Sequence, residues 1–387
     1  MNYRFILFVC LSSVALGAFS IIDTLFYLQK GLGFQQIAFL ATLLNVVVMV
    51  AEVPTGFISD KFGVFKALLI GTLLRSAAAI FYIMDFYGNF IIATILAAVG
   101  IAFLSGSLNA AAIRLKGDMS TETALSSLSF YKSVALIIGG LVGFVLFRQV
   151  IDYPWIFASV CFVLACVSII PLVIGLKNND KNQHNTDHFA QPDEQKLSPK
   201  NLPILIKNQA TRPIFWACVW ISVGAVTPML VWQKLFDGFA FGLVLGFVSL
   251  QVAVMAASYV VKRQNIALRY KYIAMLANGL ILLCIPLVTG NVLILTAVMF
   301  LHVFFHVLSS IFIFSLFHEQ VEDGIRNTAE SLTSLFDSLL LIPIYLITGY
   351  LLDAGRLNDA FYLSAGVALL VFLLYFLANK SPVGLAD

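Results

Sequence analysis

The chain contains 387 residues, of which 60% are hydrophobic and only 11% are charged, and its mean hydropathy is +0.96. Soluble domains are about 45–50% apolar and about 25% charged, so this composition excludes a water-soluble globule and an intrinsically disordered chain. The formal net charge of +3 is small, so the total says nothing about nucleic acid, and no nucleic-acid partner is expected. The main partner is therefore expected to be the lipid bilayer.

Twelve stretches of the sequence are apolar over the roughly 20 residues that a helix needs to cross the hydrocarbon core. The first is longer than the apolar core of a signal peptide, about 7–15 residues, so we expect it to be retained as a span. The predicted spans are 4–28, 34–58, 66–86, 89–113, 123–147, 154–176, 213–234, 239–261, 271–288, 291–317, 328–351 and 359–378.

One polar segment, 177–212, interrupts this pattern and divides the spans into six and six. It is rich in Asn, Gln, Asp and Lys and contains three prolines, a composition typical of a linker. The sequence therefore predicts an N-terminal bundle over 1–176, a cytoplasmic linker and a C-terminal bundle over 213–387.

The basic residues predict the orientation of the spans. With a cytoplasmic N-terminus, 17 of the 23 Lys and Arg residues lie on the cytoplasmic side, four lie on the opposite side, and Arg75 and Lys132 lie within spans. Cytoplasmic loops of membrane proteins carry such an excess. We therefore expect a multi-pass protein of the cell inner (plasma) membrane with both termini cytoplasmic. Trp155 and Trp232 fall at outer span ends, as interfacial anchors do.

The two halves of the sequence echo each other. Residues 123–126, Thr-Ala-Leu-Ser, open the fifth predicted span, and residues 328–331, Thr-Ala-Glu-Ser, open the eleventh. The same offset of 205 residues places Lys132 onto Asp337. Internal repeats with a binding site between them are typical of secondary transporters.

The loop after the second predicted span reads EVPTGFISDKFGVFK over residues 52–66. It resembles the signature loop of the major facilitator superfamily, Gly-x-x-x-Asp-Arg/Lys-x-Gly-Arg/Lys-Arg/Lys, and stands where that family has it. The resemblance implies an all-α membrane protein whose 12 transmembrane helices form two pseudo-symmetric six-helix bundles. It also implies a gating motif made of Gly56, Asp60, Lys61, Gly63 and Lys66.

In that family the Asp of the loop, here Asp60, braces the cytoplasmic ends of the two halves by facing the start of span eleven. A carboxylate near a helix N-terminus is stabilised by about 0.3–1 kcal/mol. Gly56 and Gly63 are expected to permit a close helix approach and a tight turn. Val64 and Phe65 depart from the pattern, because the family usually has basic residues there.

Charges within the spans are candidates for function, because each costs about 2.5–3.5 kcal/mol at the centre of the bilayer. Lys132 and Asp337 each lie nine residues into their spans. We expect them to line the substrate path, as an ion pair or as separate contacts; a structural pair between the halves is the alternative. Asp23 suits proton coupling, or is a hydrogen-bonded carboxylate near the outer mouth.

His302 and His306 lie one turn apart on the tenth predicted span and hence share a helix face. Proton sensing or substrate contact is one interpretation, and packed, hydrogen-bonded histidines are the other. No third ligand accompanies them, and the five cysteines have no metal-ligand spacing, so no metal site is predicted. Glu52 and Arg75 lie at similar depths on consecutive spans, which predicts a structural ion pair.

The sequence contains no catalytic constellation and no Walker loop, so we expect neither an enzyme nor a cofactor. The resemblance implies a secondary active transporter that works by alternating access of a rocker-switch type and acts as a monomer on a small-molecule substrate. The form of residues 52–56 is similar to that of bacterial efflux members, which favours proton-coupled export of a small organic solute. One alternative is a proton-coupled importer of a nutrient such as a sugar, nucleoside or organic anion; the positive charge of Lys132 would suit an anionic substrate. The other alternative is a non-transporting membrane sensor.

Overall fold

The structure, a computed structural model, describes residues 2–117, 119, 121–179, 211–263, 266–321 and 326–380. All regular secondary structure in these ranges is helical. Twelve helical segments of the described chain are long and apolar enough to cross a membrane. The predicted all-α class and the predicted count of twelve spans are therefore confirmed.

The first of two compact units, unit 1, consists of the described residues within Met1–Leu32 and Phe39–His188. Six spans belong to it. Its helices are α1 (Tyr3–Ser20), α2 (Asp23–Gln29), α3 (Phe34–Phe62, whose first turn belongs to the other unit), α4 (Val64–Tyr82), α5 (Tyr87–Arg114), α6 (Thr121–Gln149) and α7 (Tyr153–Asn179).

The second unit, unit 2, consists of the described residues within Gly33–Ala38 and Phe189–Asp387. The carboxylate of Asp353 accepts hydrogen bonds from the backbone N–H groups of Phe34 and Gln35 at 2.7 and 2.9 Å. The helices of this unit are α8 (Arg212–Ile221), α9 (Val226–Asp237), α10 (Gly242–Arg263), α11 (Leu268–Cys284), α12 (Val292–Gln320), α13 (Arg326–Asp353) and α14 (Leu357–Lys380).

The first span is broken, whereas the sequence predicts one helix over 4–28. Helix α1 ends at Ser20, residues 21 and 22 form a turn, and α2 begins at Asp23. Asp23 accepts the backbone N–H of Thr24 at 2.7 Å and places an acidic group in the first turn, where the helix dipole favours it. The overall hydropathy of the stretch does not reveal such a break.

The seventh span is broken at the corresponding place. Helix α8 ends at Ile221, a 3-10 turn occupies Ser222–Ala225, and α9 begins at Val226. Stretches of 3-10 helix inside a span often mark hinges, and discontinuous spans frequently form the binding sites of transporters. Both units therefore open with an interrupted helix.

The two units share several helix pairings. In unit 1, α4 packs on α5 and α7, and α1 packs on α7. In unit 2, the equivalent spans pair in the same way, since α11 packs on α12 and α14, and α8 packs on α14. The internal repeat predicted from a four-residue echo thus extends to the packing of each unit.

Helices α1 and α6 approach each other closely because glycines lie between them. A Cβ atom added at Gly139 would collide with the carbonyl oxygen of Val14, and one added at Gly143 would collide with that of Ala18. Small residues allow such backbone contact between membrane helices. This contact fixes α1, and with it the break before Asp23, against α6.

The predicted linker, 177–212, lies mostly outside the described residues, which stop at Asn179 and resume at Thr211. The boundaries drawn at 1–176 and 213–387 remain predictions.

Candidate functional site

Unit 1 contains a cavity of about 260 Å³ beside the break in its first span. Helices α1, α2, α4 and α7 contribute most of its walls, and α3 and α5 contribute only apolar side chains. Its polar and aromatic lining includes Asp23, Tyr27, Arg75, Tyr82, Trp155 and Phe162.

Arg75 brings a guanidinium group to this cavity from the middle of α4. Its Cζ atom lies 4.8 Å from the centroid of the Phe162 ring, a distance at which the ring face attracts a cation. Among the described residues, no carboxylate lies within ion-pair distance of it. Arg75 is therefore held by an aromatic ring rather than by an acidic side chain.

The predicted ion pair between Glu52 and Arg75 does not form. Glu52 is exposed and lines a different pocket of unit 1, with Thr55 and Ser59, against α5. The reason lies in the packing, because α4 packs on α5 and α7 rather than on α3. Equal depth on consecutive spans does not make two helices neighbours.

Trp155 lies inside unit 1, whereas the sequence suggests an interfacial anchor. Its side chain is 3% exposed, and its ring centroid lies 4.5 Å from those of Phe19 and Tyr82. The indole Nε1 is buried without a hydrogen-bond partner in the described chain. Position near a span end could not distinguish a lipid-facing tryptophan from one that turns inward.

Asp23 lines the same cavity at the start of α2, close to the hydroxyl-bearing rings of Tyr27 and Tyr82. The Tyr82 hydroxyl is hydrogen-bonded to the hydroxyl of Thr94 at 3.1 Å. The cavity thus combines one carboxyl group, one guanidinium group and several aromatic rings. The expected role of Asp23 in proton coupling remains a prediction.

An ion cluster that the sequence did not predict lies at the adjacent end of unit 1. The Lys30 ammonium group contacts Asp85 at 2.6 Å and Asp152 at 2.9 Å, and it lies 5.5 Å from the centre of the Phe26 ring. Burial lowers the pKa of Lys30, but hydrogen bonds and charge from the two carboxylates outweigh this and raise it overall. Three loops distant in sequence supply these charges, so spacing alone gives no signal.

The predicted gating motif forms the end of α3 and the start of α4. Gly63 has a φ of +92°, which is the tight turn expected there and is costly for any residue with a Cβ atom. Gly56 makes no close helix approach, since a Cβ atom there would meet nothing within 4 Å. Lys61 and Lys66 are exposed, and the side chain of Asp60 lies outside the described part.

The two histidines of α12 differ in their surroundings. His302 is 2% exposed, and its Nδ1 lies 2.9 Å from the Oδ1 atom of Asn278 on α11. His306 lies one turn away, with 5.8 Å between the ring centroids, and its buried Nδ1 has no partner in the described chain. His302 therefore fits the packed, hydrogen-bonded interpretation, and His306 retains an unused ring nitrogen.

Asp337 lies in α13 beside the break in the seventh span. The Ser222 hydroxyl, in the 3-10 turn, donates a hydrogen bond to its carboxylate. The Oδ1 atom of Asp337 is buried and has no partner among the described residues. Lys132, on α6, is exposed and belongs to the other unit, so the proposed pairing with Asp337 stays a prediction.

The described residues contain no group of three His, Cys, Asp or Glu side chains that could hold a metal ion. The polar groups that the structure does gather can bind organic solutes and exchange protons.

Comparisons with known proteins agree with this architecture. An uncharacterized MFS-type transporter of Bacillus subtilis (strain 168), YxaM, is 24% identical over 241 residues, which cover 60% of this chain and 58% of that protein. The chain thus spans less than two thirds of that relative.

Two solved structures share the fold. A nucleoside transporter, NupG, has a TM-score of 0.73 at 12% identity, with 98% of this chain and 100% of that chain covered. A peptide transporter, POT, has a TM-score of 0.71 at 14% identity, with 98% and 94% covered. The family profile of the Major Facilitator Superfamily matches residues 5–342. The chain, with its twelve spans in two similarly paired units, therefore belongs to the major facilitator superfamily of membrane transporters.

Proposed function

We propose that the protein exports a small organic solute across the membrane in exchange for protons, by alternating access of a rocker-switch type. Gly56, Asp60, Lys61, Gly63 and Lys66 are assigned to the gate. Asp23, Lys132, His306 and Asp337 are assigned to the path of substrate or protons. His302 is assigned to holding α11 and α12 together, because its Nδ1 is already paired with Asn278.

The observation that carries the proton-coupled part of this proposal is the environment of Asp337. One of its oxygens is hydrogen-bonded to Ser222, and the other is buried without a partner in the described chain. An ionised carboxylate that is incompletely hydrogen-bonded is costly within a membrane span. Protonation removes that cost, and reionisation becomes favourable when the group meets water, as coupling to a proton gradient requires.

The location of Asp337 beside a helix break adds to this support. A local rearrangement of Ser222–Ala225 would change the hydrogen bond to the carboxylate without unfolding the span. The export direction is supported only by the likeness of residues 52–56 to the corresponding loop of efflux members.

The test is transport in membrane vesicles with an imposed pH gradient, for labelled uridine, xylose, a dipeptide and benzoate. An exporter accumulates its solute in inverted vesicles with an acidic interior. We expect Asp337→Asn to reduce gradient-driven accumulation at least tenfold, while exchange of labelled for unlabelled solute across the membrane continues. Asp337→Glu should restore part of the accumulation.

Asp237→Asn is the matched control, since Asp237 is partly exposed at the end of α9 and makes a long contact of 3.9 Å with Lys234. This variant should transport normally. Full accumulation by Asp337→Asn would overturn the assignment of that residue. Accumulation in right-side-out vesicles with an acidic exterior, where a proton symporter gains solute and an antiporter loses it, would replace export by import.

We also propose that the protein resides in the inner (plasma) membrane with both termini and the linker in the cytoplasm. The distribution of 17 basic residues on one side against four on the other supports this orientation.

A further inference from the structure

We propose that the cavity of unit 1 binds a small aromatic carboxylate, and that anions of this class are the cargo. The inference deepens the proposed function and rests on it, since it names the solute to be moved. Arg75 and Trp155 would hold the carboxylate, and the surrounding rings would hold the aromatic part.

Two residues that line the cavity carry hydrogen-bond donors, and these explain the anionic group. A guanidinium group and an indole N–H can only donate hydrogen bonds. Arg75 has no ion-pair partner within the described chain, and Trp155 has a buried Nε1 without an acceptor. A charge and a donor left unsatisfied within a span are both costly, and a ligand carboxylate would satisfy both with strong, charge-assisted hydrogen bonds.

The aromatic walls explain the rest of the ligand. The ring centroids of Phe19 and Tyr82 each lie 4.5 Å from that of Trp155, and the Phe162 ring centroid lies 4.8 Å from the Cζ atom of Arg75. Aromatic side chains interact favourably with another ring in stacked or edge-on arrangements. Such walls favour a flat, aromatic ligand over a flexible aliphatic one.

The size of the cavity limits the ligand to about one ring. An apolar cavity of about 150 Å³ is sufficient for benzene, and drug-sized ligands occupy pockets of about 300–1,000 Å³. At about 260 Å³, the cavity has room for a single substituted ring such as benzoate.

The test is equilibrium binding of benzoate to the purified full-length protein in detergent, measured by calorimetry. The comparison ligands are benzamide, which has the same ring and no charge, cyclohexanecarboxylate, which lacks the flat ring, and chloride. We expect benzoate to bind at least tenfold more tightly than each of them. Equal affinity for benzoate and benzamide, or tighter binding of chloride, would overturn the inference.

The variants assign the binding to this cavity. Arg75→Gln should weaken benzoate at least tenfold and leave benzamide unchanged, and Trp155→Phe, which keeps a ring and removes the N–H, should weaken benzoate several-fold. Arg148→Gln is the matched control, because Arg148 also lies over a ring, 5.2 Å from that of Phe144, but outside the cavity; it should bind normally.

Arg75→Lys guards against a variant that does not fold, because it keeps the charge and loses the planar fork; an intermediate affinity is expected. Wild-type affinity in both Arg75→Lys and Trp155→Phe would place the anion elsewhere. If benzoate does not bind while another solute is still driven by a pH gradient, this inference fails and the proposed function stands. If benzoate binds in this cavity but no solute is driven by a pH gradient, the proposed function fails and the binding site stands.

Discussion

Lys30 shows how one residue joins segments that are far apart in the sequence. Its ammonium group lies between Asp85, in the loop before α5, and Asp152, in the loop before α7. Only 10% of the Lys30 side chain is exposed, whereas 79% of Asp85 and 28% of Asp152 are exposed. Water therefore screens the contact with Asp85 more strongly than the contact with Asp152.

We expect Lys30→Gln to lower the stability of the protein by about 1 kcal/mol at neutral pH, because Asp152 loses its cation. The pKa of Lys30 is raised above its usual 10.5, so this contribution is present below pH 10.5 and is lost as the pH rises through the raised pKa. The thermal unfolding temperature, measured from pH 7 upwards, should therefore differ between wild type and variant at pH 7 and converge in strong alkali.

Lys234→Gln provides the comparison for this measurement, because Lys234 is mostly exposed and its carboxylate partner is 3.9 Å away. It should leave the unfolding temperature unchanged. An equal loss of stability in both variants, or a Lys30→Gln effect that persists in strong alkali, would contradict the role given to the ion cluster.

At this scale the sequence identifies polar residues within spans but does not identify their partners. Arg75 and Asp23 stand out because charges are rare in apolar stretches, and both line the cavity. The partner chosen for Arg75 was wrong, because helix packing in three dimensions decides which residues meet. Trp155 was missed as a site residue, since nothing in its local sequence shows that its N–H is buried without an acceptor.

At the scale of elements, the contact between α1 and α6 depends on the absence of side chains. Gly143→Val should reduce the yield of folded protein and lower its stability by about 1–3 kcal/mol, because the new Cβ atom would collide with the backbone carbonyl of Ala18. Size-exclusion chromatography and thermal unfolding of the purified protein measure both effects.

Gly106→Val makes the same chemical change within α5, where a Cβ atom would meet nothing within 4 Å, and it should be tolerated. If Gly143→Val were as stable as this control, the helices would have to be able to move apart at little cost, and the close contact would not fix the position of α1.

Hydropathy predicts the number of spans because the bilayer demands about 20 apolar residues from each. It does not predict the breaks at 21–22 and 222–225, because a broken span keeps its length and its overall hydropathy. Asp23 was recognised as a charge, but its place in the first turn of a new helix depends on tertiary packing.

At the scale of the whole molecule, the two units share several helix pairings and the interruption of their first span. Their charges differ, however. The counterpart of Lys132 is Asp337, and the loop at 261–264 does not repeat the motif found at 56–66. Lys132, Asp337 and the 56–66 motif, at which the two halves differ, are residues proposed here for transport and gating.

The orientation of these spans is open to a direct test by fusing reporters to the full-length chain. We expect green fluorescent protein to fluoresce when inserted into the 177–212 linker, and alkaline phosphatase to be active when inserted at Gly290 or Gly355. The physical reason is the charge bias, since segments rich in Lys and Arg are retained on the cytoplasmic side. Gly290 and Gly355 suit insertion because both are exposed, and exposed loop positions tolerate insertions best. Active phosphatase in the linker would reverse the topology, placing the 52–66 loop outside and the Lys30 cluster inside.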